Sequence, residues 1–284
     1  MRWLLLCLIA IAVNFAATAA EYHLYARTNL MAWCIVPFDA KHRNPQERAE
    51  MLERLGIQHF AYDWRAENIP QFEQEIDICA KKGIKIDAFW FPTTLDKDAQ
   101  HILDVLKAKN LQPQLWVMGG GEPTKTPDEQ KQRVQAEAAR IRPIAEAAAA
   151  IGCKVGLYNH GGWFGEPENQ VAIIEELKAP NVGIVYNFHH GHDQIDRFPQ
   201  ILAKIKPYLY CININGMLKD GERTGKKILP IGEGDQELAM LQQIKASGWK
   251  GPIGILNHRP EMDAEEALRG NLEGLERLKQ KGTL

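Results

Sequence analysis

The sequence predicts a single-domain α/β protein built as a closed (β/α)8 barrel, the TIM-barrel architecture. Three observations carry this. Eight short apolar runs alternate with helix-like stretches from residue 29 to residue 281. The 284-residue length suits a barrel, which typically takes about 250 residues. No strand is followed by a glycine-rich loop of dinucleotide or P-loop spacing, and GGGE at 119–122 does not supply one. Regular βα alternation implies parallel strands covered by helices, and eight units in this length favour closure over an open doubly wound sheet.

The units follow in order. NLMAWCIVPF (29–38) reads as the first strand, and its helix starts near Pro45 and stops at Gly56. Proline at the first turn and glycine after the last are the expected punctuation. HFAYDW (59–64) is the second strand, with a helix from Pro70 to Lys82. IKIDAFWF (84–91) precedes a helix over 97–109, and QPQLWVMGG (112–120) precedes a long helix over 128–151 with an alanine-rich end. KVGLYNH (154–160), NVGIVYNF (181–188), YLYCININ (208–215) and GPIGILNH (251–258) supply the remaining strands. Their helices are NQVAIIEELK (169–178), one around FPQILAKI (198–205), ELAMLQQIKASG (237–248) and a last one over 263–281.

Composition narrows the function. The formal net charge is −2. No basic field is available to hold a phosphate backbone, so nucleic-acid binding is disfavoured. The N-terminus reads as an export signal over 1–19, leaving the barrel domain at 20–284. Arg2 is the positive n-region, residues 3–13 the apolar h-region, and Ala17-Thr18-Ala19 the cleavage pattern. That run is short for a membrane span, which takes about 20 residues. No later stretch is long enough, so the expected setting is periplasmic or secreted. Cys34, Cys79, Cys153 and Cys211 lack metal-finger or CxxC spacing and read as buried free thiols.

The most informative stretch is 158–192. YNHGGWFGEPEN (158–169) and YNFHHGHDQ (186–194) both follow apolar runs, and they hold four of the nine histidines. Barrel chemistry sits at the C-terminal ends of strands. His160, Glu166 and His190 are therefore the candidate catalytic residues. His160 and His190, as neutral imidazoles, are also candidate ligands for a divalent metal such as Zn, Mn, Mg or Co. Alternation puts Asn187 and His189 on one face, and Cys211, Asn213 and Asn215 on another. Asn187, Asn213 and Asn215 suit a hydroxyl-rich ligand, because amides both donate and accept. Trp163 is a candidate sugar platform, whereas Trp33, Trp90 and Trp116 read as barrel filling. Asp63-Trp64-Arg65, Glu233 as a helix cap and His258 as an extra ligand complete the set.

These motifs resemble the xylose isomerase-like TIM barrels, the sugar and sugar-phosphate isomerases and epimerases that also include the endonuclease IV branch. The telling pieces are LYNHGG with GEPEN, VGIVYNFHHGH, PIGEGDQELAMLQQIKASGWKGPIGI and DAEEALRGNLEGLERL. The resemblance implies a metal site of Glu, Asp, His and Glu. In this sequence those positions fall on Tyr158, Asn187, Asn213 and Leu256 or Asn257, so none of the usual ligands is kept. His190 matches a retained family histidine. Some exported relatives act on oxidised glycosides beside a keto group. The expectation is thus a carbohydrate enzyme that transfers a proton next to a sugar carbonyl: an isomerase, epimerase or keto-glycoside lyase. The alternative is a carbohydrate-binding barrel without catalysis. A phosphodiesterase of the endonuclease kind would need a carboxylate-rich cluster and a basic groove, which the sequence lacks.

Overall fold

The computed structural model describes residues 23–280 and 284; the expected leader, 1–19, and Lys281 lie outside the described residues. Eight parallel strands close into a barrel in sequence order. They are β1 (Leu30–Trp33), β2 (His59–Tyr62), β3 (Lys85–Phe91), β4 (Gln114–Val117), β5 (Lys154–Tyr158), β6 (Val182–Asn187), β7 (Leu209–Ile214) and β8 (Ile253–Leu256). The seam pairs Leu30 with Ile253 through to Trp33 with Leu256.

The covering helices are α1 (Pro45–Leu55), α2 (Phe72–Lys81), α3 (Lys97–Ala108) and α4 (Pro127–Ala150). After β5 come a single turn, α5 (Gly162–Gly165), and then α6 (Pro167–Leu177). α7 (Phe198–Ile205), α8 (Glu237–Ala246) and α9 (Ala264–Gln280) complete the ring. Local chemistry explains the ends. Asn44 and Glu47 form a reciprocal capping box at α1, and Gly56 closes it at φ 65°. Pro70 does not open α2. It lies inside a 3-10 turn (Ala66–Gln71) held by Asn68, whose side chain accepts the Arg65 N–H at 2.8 Å.

Several strands are shorter than their apolar runs. β1 stops at Trp33 because Cys34 turns to φ 57°. Ile35 and Val36 continue into the core as loop. Apolar character marks burial, and pairing ends where the backbone turns out of the ladder.

Two apolar zones result. One lies between strands and helices. The other fills the barrel and includes Met31, Trp33, Ala88, Trp116, Tyr158 and Val185. Glycines make room there. A Cβ on Gly254 would stand 1.8 Å from Asn213 Oδ1. All four described cysteines are free and buried, as expected. Glu233 does not cap α8, whose N-cap residue Gln236 makes no side-chain cap bond; Glu237, in its first turn, serves the preceding loop instead. The buried Glu237 carboxylate accepts the N–H groups of Met217, Gly232 and Gly234 at 2.9–3.0 Å, tying down the β7–α8 loop. Among the described residues no helix is long and apolar enough to cross a membrane.

Candidate functional site

Aromatic rings floor the C-terminal mouth of the barrel. Trp33 meets Trp116 edge-on at 4.7 Å between centroids, and Trp90 meets Tyr158 at 5.1 Å. The Tyr158 hydroxyl accepts the indole N–H of Trp33 at 3.0 Å and an amide N–H of Asn187. This layer buries the last inward-facing side chains of β1, β3, β4 and β5, so the site lies above it.

An arc of imidazoles stands over the floor. His160 follows β5, His189 and His190 form the 3-10 turn after β6, and His258 follows β8. Ring centroids are 4.5 Å apart for His160–His190, 4.2 Å for His190–His189 and 4.8 Å for His189–His258. His258 stacks on Phe38 at 3.9 Å. The β7–α8 loop folds back through a Gly216–Leu229 bridge. It packs Ile228 against the barrel filling.

The opposite wall comes from β1 and β2. Cys34 Sγ meets His258 Nδ1 at 3.5 Å. Both residues have left-handed backbones, φ 57° and 48°, which non-glycine residues seldom adopt. Asp63 and Arg65 follow β2. The Arg65 guanidinium lies over Phe38 and donates to the carbonyls of Asp63 and Trp64. Among the described residues no carboxylate lies within ion-pair distance of it. Trp33, Cys34, Phe38, Asp63, Arg65, Trp90, Tyr158, His160, His190 and His258 enclose a cavity of about 50 Å³. The cavity opens to the barrel mouth, from which a ligand can enter.

Burial dominates the electrostatics. Loss of hydration pushes His189 down to about 2, His190 to about 3 and His258 to about 4. Neighbouring imidazoles, Lys227 and, for His258, Arg65 add to the effect. His160 and His192 are also lowered. The arc is therefore neutral at pH 7. This has a consequence for stability. Unfolded histidines take up protons near pH 6.5, while the folded rings resist until far lower pH. The unfolded state then binds more protons, so stability is lost as pH falls from about 6.5 toward 4. Asp63, raised to about 6, acts oppositely in that window, as one group against five. The urea midpoint is expected to be lower at pH 5 than at pH 7, and an equal or higher midpoint at pH 5 would refute this account.

The predicted site residues divide. His160 and His190 come together at the cavity, His190 half-buried and His160 exposed. Asn187 and Asn213 are buried beneath it. Asn187 holds Tyr158 and accepts the His189 N–H at 3.1 Å. Asn213 accepts the Cys211 thiol at 3.6 Å. Asn215 donates to Gly216 and Lys227 carbonyls, a loop-fixing role. Glu166 is outside the cavity and binds Arg197, which also holds Glu168. Trp163 is 3% exposed and bonds Gln130 at 2.7 Å. The one-turn α5, unforeseen in GGWFGE, rotates it into the outer core, so it offers no face to a ligand. Phe38 and Trp90 line the cavity instead. The sequence marks Cys34 only as a buried thiol, and its place at the mouth has no signal there beyond the strand end.

The sequence profile of the xylose isomerase-like TIM barrel family matches residues 52–280. The chain belongs to this family. Among curated proteins none matches it. Solved structures do. The 3-keto-D-glucoside 4-epimerase YcjR from E. coli, in its apo form, is 16% identical over 89% of this chain and 99% of that one, with TM-score 0.63. The zinc-bound IolI protein is 16% identical over 89% and 98%, with TM-score 0.68. D-allulose 3-epimerase from Methylomonas sp., in complex with D-allulose, is 14% identical over 89% and 97%, with TM-score 0.62. At such identities the likeness is one of fold.

The zinc of IolI raises the question of a metal here. The positions that match the family's ligands do not fit one. Tyr158 is a buried phenol whose ionisation burial strongly opposes. Its oxygen is already engaged by Trp33 and Asn187. Asn187, Asn213 and Asn257 are neutral amides, and Leu256, the other residue at the fourth position, has no donor. A divalent ion needs anionic or imidazole donors converging on one point. His160 and His190 are adjacent, yet among the described residues no group of three or more His, Cys, Asp or Glu side chains is arranged to hold a metal.

Proposed function

We propose that this protein is a carbohydrate enzyme that moves a proton at the carbon beside the carbonyl of a keto-sugar, without a metal. The observation that carries the reading is the neutral His160–His190 pair facing an unpaired Arg65 across an aromatic-walled cavity. An existing ketone acidifies its neighbouring C–H, so the site needs a base and a positive group for the developing enolate. His190 takes the proton. Burial lowers its proton affinity; in the reaction the proton arrives together with an enolate charge, and a nearby negative charge favours the imidazolium. Arg65 faces that charge. Exposed His160, in ring contact with His190, passes the proton to solvent. Phe38 and Trp90 cover the apolar faces of the ring. The fold neighbour YcjR is a 3-keto-D-glucoside 4-epimerase, and a 3-keto-glucoside is the probe this chemistry suggests.

The test is incubation with methyl 3-keto-β-D-glucopyranoside in D2O, followed by NMR, with and without EDTA. Deuterium is expected at a carbon flanking the carbonyl, at a rate the chelator leaves unchanged. Chelator-sensitive exchange would end the metal-free reading. The replaced ligand positions favour a second reading, a carbohydrate-binding barrel without catalysis; sugar binding with no exchange above buffer would establish it instead.

A further inference from the structure

The proton-transfer reading uses one wall of the cavity and leaves unused a carboxyl on the other. Asp63 directly follows β2. In a closed barrel of eight strands, β2 stands four strands from β6 and therefore across the mouth from His190. Its side chain is 1% exposed and lines the same cavity as His160 and His190. One oxygen, Oδ1, accepts the Val36 N–H at 3.2 Å. The other, Oδ2, is buried and has no hydrogen-bond partner among the described residues. Buried carboxyl oxygens without partners are costly and rare. The two left-handed residues, Cys34 and His258, border the same place, and strain of this kind gathers at working sites.

Neighbouring charge does not explain Asp63 as structural. Arg65 is beyond ion-pair distance, and Arg48 is committed to Glu75 at 2.9 Å. We propose that Asp63 is the second proton-transfer residue, acting on the face of the substrate carbon opposite His190, so that the reaction inverts that carbon. This rests on the reading above and gives it a stereochemical outcome, epimerisation. His190 removes the C–H proton as the C–H electron pair moves into the carbonyl, leaving an enolate and an imidazolium. The enolate pair then returns to the carbon and takes the proton of the Asp63 carboxylic acid, leaving its carboxylate. His190 loses its proton to solvent through His160, and solvent reprotonates Asp63. No oxidant or reductant is needed. Burial raises the Asp63 carboxyl to about 6 against the opposing pull of Arg65 and Arg48. It thus holds a proton where an ordinary aspartate would not.

The experiment compares the wild type with Asp63→Asn on methyl 3-keto-β-D-glucopyranoside in D2O, following exchange and inversion separately. The variant is expected to keep exchange within roughly tenfold, because His190 remains. It is expected to lose inversion by about 100-fold or more, the usual weight of one acid–base group. Inversion at the wild-type rate overturns the proposal, and so does equal loss of both activities in a variant of unchanged thermal stability. The wild type gives an independent check should the variant not fold. Its inverted product must carry solvent deuterium, and retention of the substrate's own proton there overturns the proposal. Wild-type exchange without any inverted product refutes only this inference, whereas no wild-type exchange removes the function proposed above and this inference with it.

Discussion

His190→Ala is expected to lower proton exchange at the carbon beside the carbonyl by about 10²–10⁴-fold, the range that a positioned general base contributes. The ring lines the cavity. It touches Tyr158 at 5.9 Å, His160 at 4.5 Å and His189 at 4.2 Å. His160→Ala is expected to cost less, because His160 passes the proton onward and water can take that place. Exchange rates by NMR on the two variants and their double variant check the division. If the roles are coupled, the losses combine less than additively. A double variant with full exchange activity would remove both residues from the chemistry.

Trp116→Ala carries the largest expected loss of stability, about 3–5 kcal/mol, as for other buried Trp-to-Ala changes. In a domain of this size that is roughly a 6–20 °C fall in melting temperature. Trp116 is fully buried inside the barrel. It packs on Trp33 and Tyr158, and its indole N–H donates to Gln114 at 3.0 Å. The hole would open directly under the cavity and free the Tyr158 ring from one side. Trp116→Phe keeps a ring there and is expected to lose less. Thermal unfolding of both variants decides it, and a Trp116→Ala variant as stable as the wild type would mean that the floor is not a packed layer.

Much of the architecture was legible because helix and strand signals are local. Asn44, Pro45 and Gly56 mark both ends of α1 by their own backbone preferences. The apolar runs marked all eight strands. Their lengths were less legible, since 34–38 is as apolar as a strand but turns inward at Cys34. The histidine pair was also legible, because consecutive strand ends of a barrel must share one mouth. Trp163 was not: a single turn of helix between two glycine-bearing segments decides whether its ring meets solvent or Gln130. Glu166 looked like part of the site from spacing alone, yet Arg197, 31 residues away, holds it outside.

The sequence by itself determined the barrel, its order and the polar mouth, since these follow from periodicity, turn residues and the identity of strand-end residues. It also showed that the family's metal-ligand positions have become a phenol, two amides and, at the fourth, Leu256 or Asn257. Only the tertiary structure decided how the mouth is furnished. It packs Trp33, Trp116 and Tyr158 into one floor, joins His258 to the histidines of β5 and β6 through His189, and sets Asp63 across the mouth from His190. Those relations join residues far apart in the chain, such as Trp33 and Tyr158. They depend on barrel closure and on desolvation, which no local pattern encodes.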